Sequence, residues 1–298
     1  MEPPDATGAG AQSFYANGNL ALNGGGISAT TANAAVLVLK AGSNTQTLDA
    51  GGAITLAGGD GDGGSVTVRN TGSGNQVLGD NYCCSNPTDS LSLAGGDGLD
   101  SYALIENAGA GRQFIQPVVS LSLAGGAGNG AYARIHNANA TSGSTSVSNG
   151  PQIIGYSNTY DCCSGDQIDT MSLVAGSGTG AYAEISSAGS QRLAFGTSIT
   201  IAGGSGDGAF GRVTAKAQDL RTGNFVLTAG TGNGADASIV ASGTEADRTA
   251  GSSALQSLDP GTVTMTAGGT AGANAAAAYI TSGGTQRITA STTQMTGG

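Results

Sequence analysis

Four aspartates, Asp60, Asp62, Asp97 and Asp100, sit in two short Gly-rich segments with no basic residue between the members of either pair. Carboxylate oxygens gathered in this way hold hard cations, and Ca2+ is the candidate ion. The string Gly95-Gly96-Asp97-Gly98-Leu99-Asp100-Ser101-Tyr102 also fits a nonapeptide calcium-roll pattern once. Exposed acids at a chain corner are the plainer account, because the pattern does not recur every nine residues. Apart from that cation, the sequence calls for no cofactor.

Two adjacent cysteine pairs form the second group: Cys83 and Cys84 in GDNYCCSNPTDS, and Cys162 and Cys163 in SNTYDCCSGDQIDT. The two segments read as copies of one loop. A disulfide clasp between the loops, or to a neighbouring subunit, fits an oxidising extracellular setting. A four-thiolate metal site is the less apt alternative, since adjacent cysteines depart from CxxC spacing. The pairing cannot be read from the sequence.

Catalytic chemistry has little to work with. His136 is the one histidine, so neither a Ser/His/Asp nor a Cys/His set can be assembled without it. The ten Lys and Arg residues do not cluster. The expectation is a protein that is not an enzyme. A net charge of −10 leaves no basic surface for a phosphate backbone, so nucleic acid is excluded as a partner. No apolar run approaches the ~20 residues of a membrane span. The opening MEPPDATGAGAQ lacks the basic and apolar regions of a signal peptide.

The elements that would position these residues come from one degenerate repeat. Of the 298 residues 54 are glycine, and these glycines recur in register with aliphatic residues, which separates the chain from disordered low-complexity sequence. The repeat reads AITLAGGDGDGGSVTV, SLSLAGGDGLDSYALI, SLSLAGGAGNGAYARI, TMSLVAGSGTGAYAEI, SITIAGGSGDGAFGRV and NFVLTAGTGNGADASI. A stretched copy occupies Thr262 to Ile280, and a worn one begins near Leu20. Three and five residues after each anchoring Leu or Ile there is glycine, as at Gly126 and Gly128 after Leu123. Sharp corners with positive φ are the expected use of these glycines. A third element, Gln-x-apolar, follows each copy, with Gln46, Gln76, Gln113, Gln152, Gln191 and Gln286 at its head and Gln218 as a shorter instance.

Each repeat is therefore expected to supply an A-strand (SLSL), a B-strand (AYARI) and a C-strand (Q-x-L). Period-two alternation points Leu91/Leu93, Leu121/Leu123 and their equivalents inward, with Ala133/Ile135 and theirs facing them. The outward Ser and Thr of the A-strands make a flat neutral face. Tyr102, Tyr132, Tyr182 and Phe210 make an outward aromatic ladder, with Arg134, Glu184 and Arg212 beside it as a solvated charge row. The glutamines share the parity of the buried aliphatic and read as a ladder of stacked amides.

The fold class expected is all-β: a right-handed parallel β-solenoid (β-helix) of about eight three-stranded coils, each of roughly 26–30 residues, with loop insertions. Residues 1–19 form an N-terminal arm. Residues 20–298 form one domain, with cysteine-containing insertions near 79–89 and 155–169.

The SLSLAGGxGxG and AITLAGG segments resemble the Gly-rich β-helical repeats of secreted bacterial adhesins, of the filamentous-haemagglutinin-like and autotransporter-passenger kind. The resemblance lies in composition and repeat style over roughly residues 20 to 298. It implies an extracellular or cell-surface protein.

Repeat rods need polar capping repeats, and here AAVLVL at one end and RITASTTQM at the other are strand-like instead. The functional expectation is an extracellular structural protein stacking end to end into a filament, with copies of itself as partners. The alternative is a segment of a secreted adhesin that binds glycans or a cell surface. An ice-binding role for the Ser/Thr face is a minor alternative.

Overall fold

Alternating Leu and Ser, as in SLSL, form strands because each apolar side chain finds a buried column on one face while the hydroxyls stay at the surface. The computed structural model describes residues 10–25, 35–79, 88–117, 119–140, 151–155, 168–244, 255–268 and 275–297. All its regular elements are strands, and every strand pairing is parallel. Each strand pairs with its equivalent in the next repeat in strict register: Leu121 lies opposite Leu91 and Met171, and Ile135 opposite Ile105 and Ile185.

The strands make two sheets. The smaller contains the eight B-strands, from Ala35–Lys40 to Ala278–Ser282. The larger has fifteen strands and contains both the A- and the C-strands. Its main path of eleven parallel strands turns through 300° and closes nearly into a barrel.

This corrects the expectation of a right-handed β-solenoid of three-stranded coils. The architecture is closer to a parallel β-barrel with a second parallel sheet, because the A- and C-strands do not form separate faces. The joining elements are three long strands, Ser190–Ala202, Ala217–Thr228 and Gln256–Thr266, each of which serves as C-strand and then A-strand without a break. In SQRLAFGTSITIA the chain bends through a register shift between Ala194 and Ser198 and stays within one sheet. Links of the same length interrupt the strand earlier, between Ala50 and Ala53, where Gly51-Gly52 stands, and between Ile115 and Ser120, and longer insertions interrupt it after Leu78 and Ile154.

The N-terminal arm contributes to the sheet. Gln12–Ala16 is an edge strand of the larger sheet, paired with Gln46–Ala50.

The main apolar core runs along the inside of both sheets. The A-strand columns (Ile54/Leu56 through Phe225/Leu227) face the B-strand columns (Val66/Val68 through Ala237/Ile239), and all of these residues are buried. Large residues on one sheet meet small ones on the other, which fills a narrow interior. Among the described residues no helix is long and apolar enough to cross a membrane.

Candidate functional site

The glutamine column is the most regular polar feature. The structure brings Gln46, Gln76, Gln113, Gln152, Gln191, Gln218 and Gln286 into one line. It adds Gln12 and Gln256, which the sequence reading missed although Gln12-Ser13-Phe14 and Gln256-Ser257-Leu258 carry the same Q-x-apolar pattern. Each amide donates from Nε2 to the Oε1 of the glutamine one repeat earlier. The distances are 2.9 Å for Gln46 to Gln12, 2.9 Å for Gln76 to Gln46, 2.8 Å for Gln113 to Gln76 and 2.7 Å for Gln152 to Gln113. The series ends with Gln256 to Gln218 at 2.9 Å and Gln286 to Gln256 at 2.5 Å. A second N–H reaches a B-strand carbonyl, as from Gln113 to His136 O at 3.1 Å and from Gln152 to Ser186 O at 3.2 Å. The ladder thus ties the two sheets together and has one polarity from end to end.

A shorter amide ladder, Asn70 to Asn107 at 3.0 Å and Asn107 to Asn137 at 3.4 Å, runs beside it. Its signal was the Asn closing successive B-strands.

On the outer face of the smaller sheet, Tyr102, Tyr132, Tyr182 and Phe210 stack with ring centroids 4.7, 4.7 and 4.9 Å apart and planes within 4° of parallel. The Arg212 guanidinium lies 4.5 Å over the Phe210 ring. Burial, and then the neighbouring Tyr182 and Tyr102, push the Tyr132 phenol well above its ordinary value. Burial does the same to Tyr182.

The charge row is solvated at its arginines and not at its carboxylate. The Glu184 side chain is only 4% exposed, and it accepts from Arg134 Nε at 2.8 Å and from Arg212 Nη2 at 2.6 Å. His136 is half-buried, with Nδ1 2.9 Å from Ser186 Oγ and 3.3 Å from Arg134 Nη2. Burial, helped by the Arg134 charge, holds its imidazole below the usual value.

The glycine corners work differently from expectation. The glycines three and five residues after the anchor are there because neighbouring repeats touch: a Cβ on Gly128 would lie 1.9 Å from Gly98 O, and one on Gly126 2.0 Å from Gly96 O. Positive φ falls two residues later, at Gly63, Gly130, Gly180, Gly208 and Gly234, with Asp100 as the one non-glycine in this series.

Asp60, Asp62, Asp97 and Asp100 lie exposed along this corner. The Asp62 carboxylate accepts from the Leu99 N–H at 3.0 Å. Among the described residues no three His, Cys, Asp or Glu side chains are gathered so as to hold a metal ion. Cys83, Cys84, Cys162 and Cys163 lie outside the described residues.

Both ends of the core are open among the described residues. At one end Gln286–Ile288 and Thr292–Thr296 pair only with Gln256–Thr266, and Ala278–Ser282 ends the smaller sheet. A hollow of about 390 Å3 opens there, lined by Met265, Ile280, Gln286, Ile288 and Met295 among others. Ile288 is 43% exposed and Met295 73%, although their equivalents in the preceding repeats are in the core. At the other end Gln12–Ala16, Leu20–Asn23 and Ala35–Lys40 are paired on one side only. Phe14, at the buried column position of Leu48, is 41% exposed.

No family model, no curated protein and no solved structure matches this chain.

Proposed function

We propose that the protein is an extracellular structural subunit that adds end to end to copies of itself and so builds a filament. The observation that carries this reading is the pair of open edges. The apolar columns that fill the core run out to both ends, where Phe14, Ile288 and Met295 stand exposed in positions that are buried from Leu48 to Leu258 and from Leu56 to Leu227. Unpaired parallel edge strands also leave rows of N–H and C=O groups that another strand would satisfy. A heterologous contact of this kind propagates as a filament. The paired cysteines suit an oxidising exterior.

The adhesin reading draws less support. A sugar ring packs on an exposed aromatic face, whereas the rings of Tyr132 and Tyr182 are covered on both faces by their neighbours in the ladder.

Electron microscopy and sedimentation of the purified protein over a range of concentrations test the proposal. The expected result is uniform fibres with an axial repeat of about 40 Å, from the eight levels of the smaller sheet and the nine of the larger at ~4.8 Å each. Short single particles at high concentration would overturn it and favour edges that are covered by another protein or by further sequence.

A further inference from the structure

We infer that the open edge of the smaller sheet is a docking site for one extended strand of a partner protein, which lies beside Ala278–Ser282 as a ninth strand and fills the hollow there with alternate small and branched aliphatic side chains.

The number of levels in the two sheets carries this inference. Among the described residues the larger sheet has nine C-strands, from Gln12–Ala16 to Gln286–Ile288, and nine A-strands, from Leu20–Asn23 to Thr292–Thr296, whereas the smaller sheet has eight strands. The first level holds a C-, an A- and a B-strand. At the last level Gln286–Ile288 and Thr292–Thr296 face no B-strand among the described residues. The hollow of about 390 Å3 lies at that open level, with Ile280, Ile288 and Met295 in its lining.

A second copy does not fill the place. Its C-, A- and B-strands begin at one level. When its first C- and A-strands stack on Gln286–Ile288 and Thr292–Thr296, its Ala35–Lys40 comes to rest two levels from Ala278–Ser282. That separation, about 9.6 Å, is the room that one intervening strand takes up. A copy that instead set Ala35–Lys40 directly on Ala278–Ser282 would drive its C- and A-strands into the ninth level of the larger sheet.

The register specifies what the strand is like. Ala278 and Ile280 stand opposite Ala237 and Ile239. The Ala237 N–H donates to Ala277 O at 2.9 Å, one level on. By the alternation of a parallel ladder, the N–H groups of Ala278 and Ile280 are turned to the open level in the same way. An added strand takes its affinity from such backbone groups and its specificity from alternate side chains. The inward columns of this sheet carry a small residue and then a branched one, as in Ala133/Ile135, Ala183/Ile185, Gly211/Val213 and Ala237/Ile239. An occupant with the same pattern sets its branched side chain between Ile280 and Met295, which is 73% exposed without it. A charge at that position would be buried without a partner.

A fluorescein-labelled peptide with the sequence of residues 235–242, ADASIVAS, is the probe. Fluorescence anisotropy should show saturable binding of one peptide per subunit, and the same peptide carrying Ile239→Lys should bind about tenfold more weakly or worse. At saturation, hydrogen exchange at Ala278 and Ile280 should slow about tenfold or more, and peroxide oxidation of Met295 should slow with it. Met295→Glu in the full chain, with its fold verified by circular dichroism, should lose the binding. Absence of saturation up to about 1 mM peptide, or equal binding of the Ile239→Lys peptide, would overturn the inference. Protection of Ala278, Ile280 and Met295 on raising the protein concentration without peptide would give the place to a second copy and overturn it as well. The inference stands apart from the filament reading: saturable binding to single short particles that form no fibres would sink that reading and still support the strand site.

Discussion

Gln113 donates its side-chain amide to the carbonyl oxygen of Gln76 at 2.8 Å, from one repeat to the one before it, and both side chains are fully buried. Gln113 also accepts from Gln152 at 2.7 Å, so it is a link in a chain as well as a member of a pair. Replacing it with leucine keeps much of the volume but strands the Gln76 carbonyl and a Gln152 N–H. Gln113→Leu is expected to lower unfolding free energy by about 2–4 kcal/mol, measured by urea denaturation. A loss below about 0.5 kcal/mol would mean that the ladder does not stabilise the fold.

The corner glycines separate into two kinds, and alanine distinguishes them. At Gly128 a Cβ would meet the Gly98 carbonyl at 1.9 Å, so neighbouring repeats must part. At Gly180 φ is +66° and nothing lies within 4 Å, so only backbone strain opposes a side chain. Gly180→Ala should cost about 1 kcal/mol and Gly128→Ala more than about 3 kcal/mol, or it should prevent folding. Thermal melts of the two variants side by side decide the order.

Asp100 stands at the position that glycine fills in the other repeats, with φ of 52°. Asp100→Gly removes the steric conflict of a side chain there. A gain of about 1 kcal/mol is expected from the melting temperature. A loss would show that the Asp100 carboxylate makes a stabilising interaction in solution.

Acid should weaken the protein through His136. Burial and the Arg134 charge hold its folded-state pKa below the ordinary 6.5. As pH falls, the unfolded chain therefore takes up the proton first. The stability tied to the neutral ring is full above about pH 6.5 and is lost as pH falls through the lowered folded value. His136→Gln should flatten the melting temperature between about pH 7 and pH 5 relative to the unsubstituted chain.

Alkali should act through the aromatic ladder with the opposite sign of shift. The Tyr132 and Tyr182 phenols are raised above their ordinary 10.0, by burial first. The stability they contribute is present below pH 10 and is lost as pH rises toward the folded values, because the unfolded chain ionises first. Absorbance at the phenolate band should show these two tyrosines titrating only as the fold is lost. Tyr132→Phe should shift the alkaline transition upward.

Much of this molecule was legible in the sequence because each residue's neighbours along the sheets are its own equivalents. Leu121 packs on Leu91 and Met171, and Gln113 bonds to Gln76 and Gln152, so aligning the repeats already aligned the contacts. Period-two alternation then determined which columns are buried. The tertiary structure decided what depends on how the chain closes around its axis. In SQRLAFGTSITIA the bend between Ala194 and Ser198 keeps C- and A-strands in one curling sheet, and no local pattern distinguishes that bend from a corner. Glu184 reads as a surface charge until two arginines from flanking repeats close over it. Gly126 and Gly128 read as turn formers, yet they are required by carbonyls of the preceding repeat, a constraint that exists only once the repeats are pressed together.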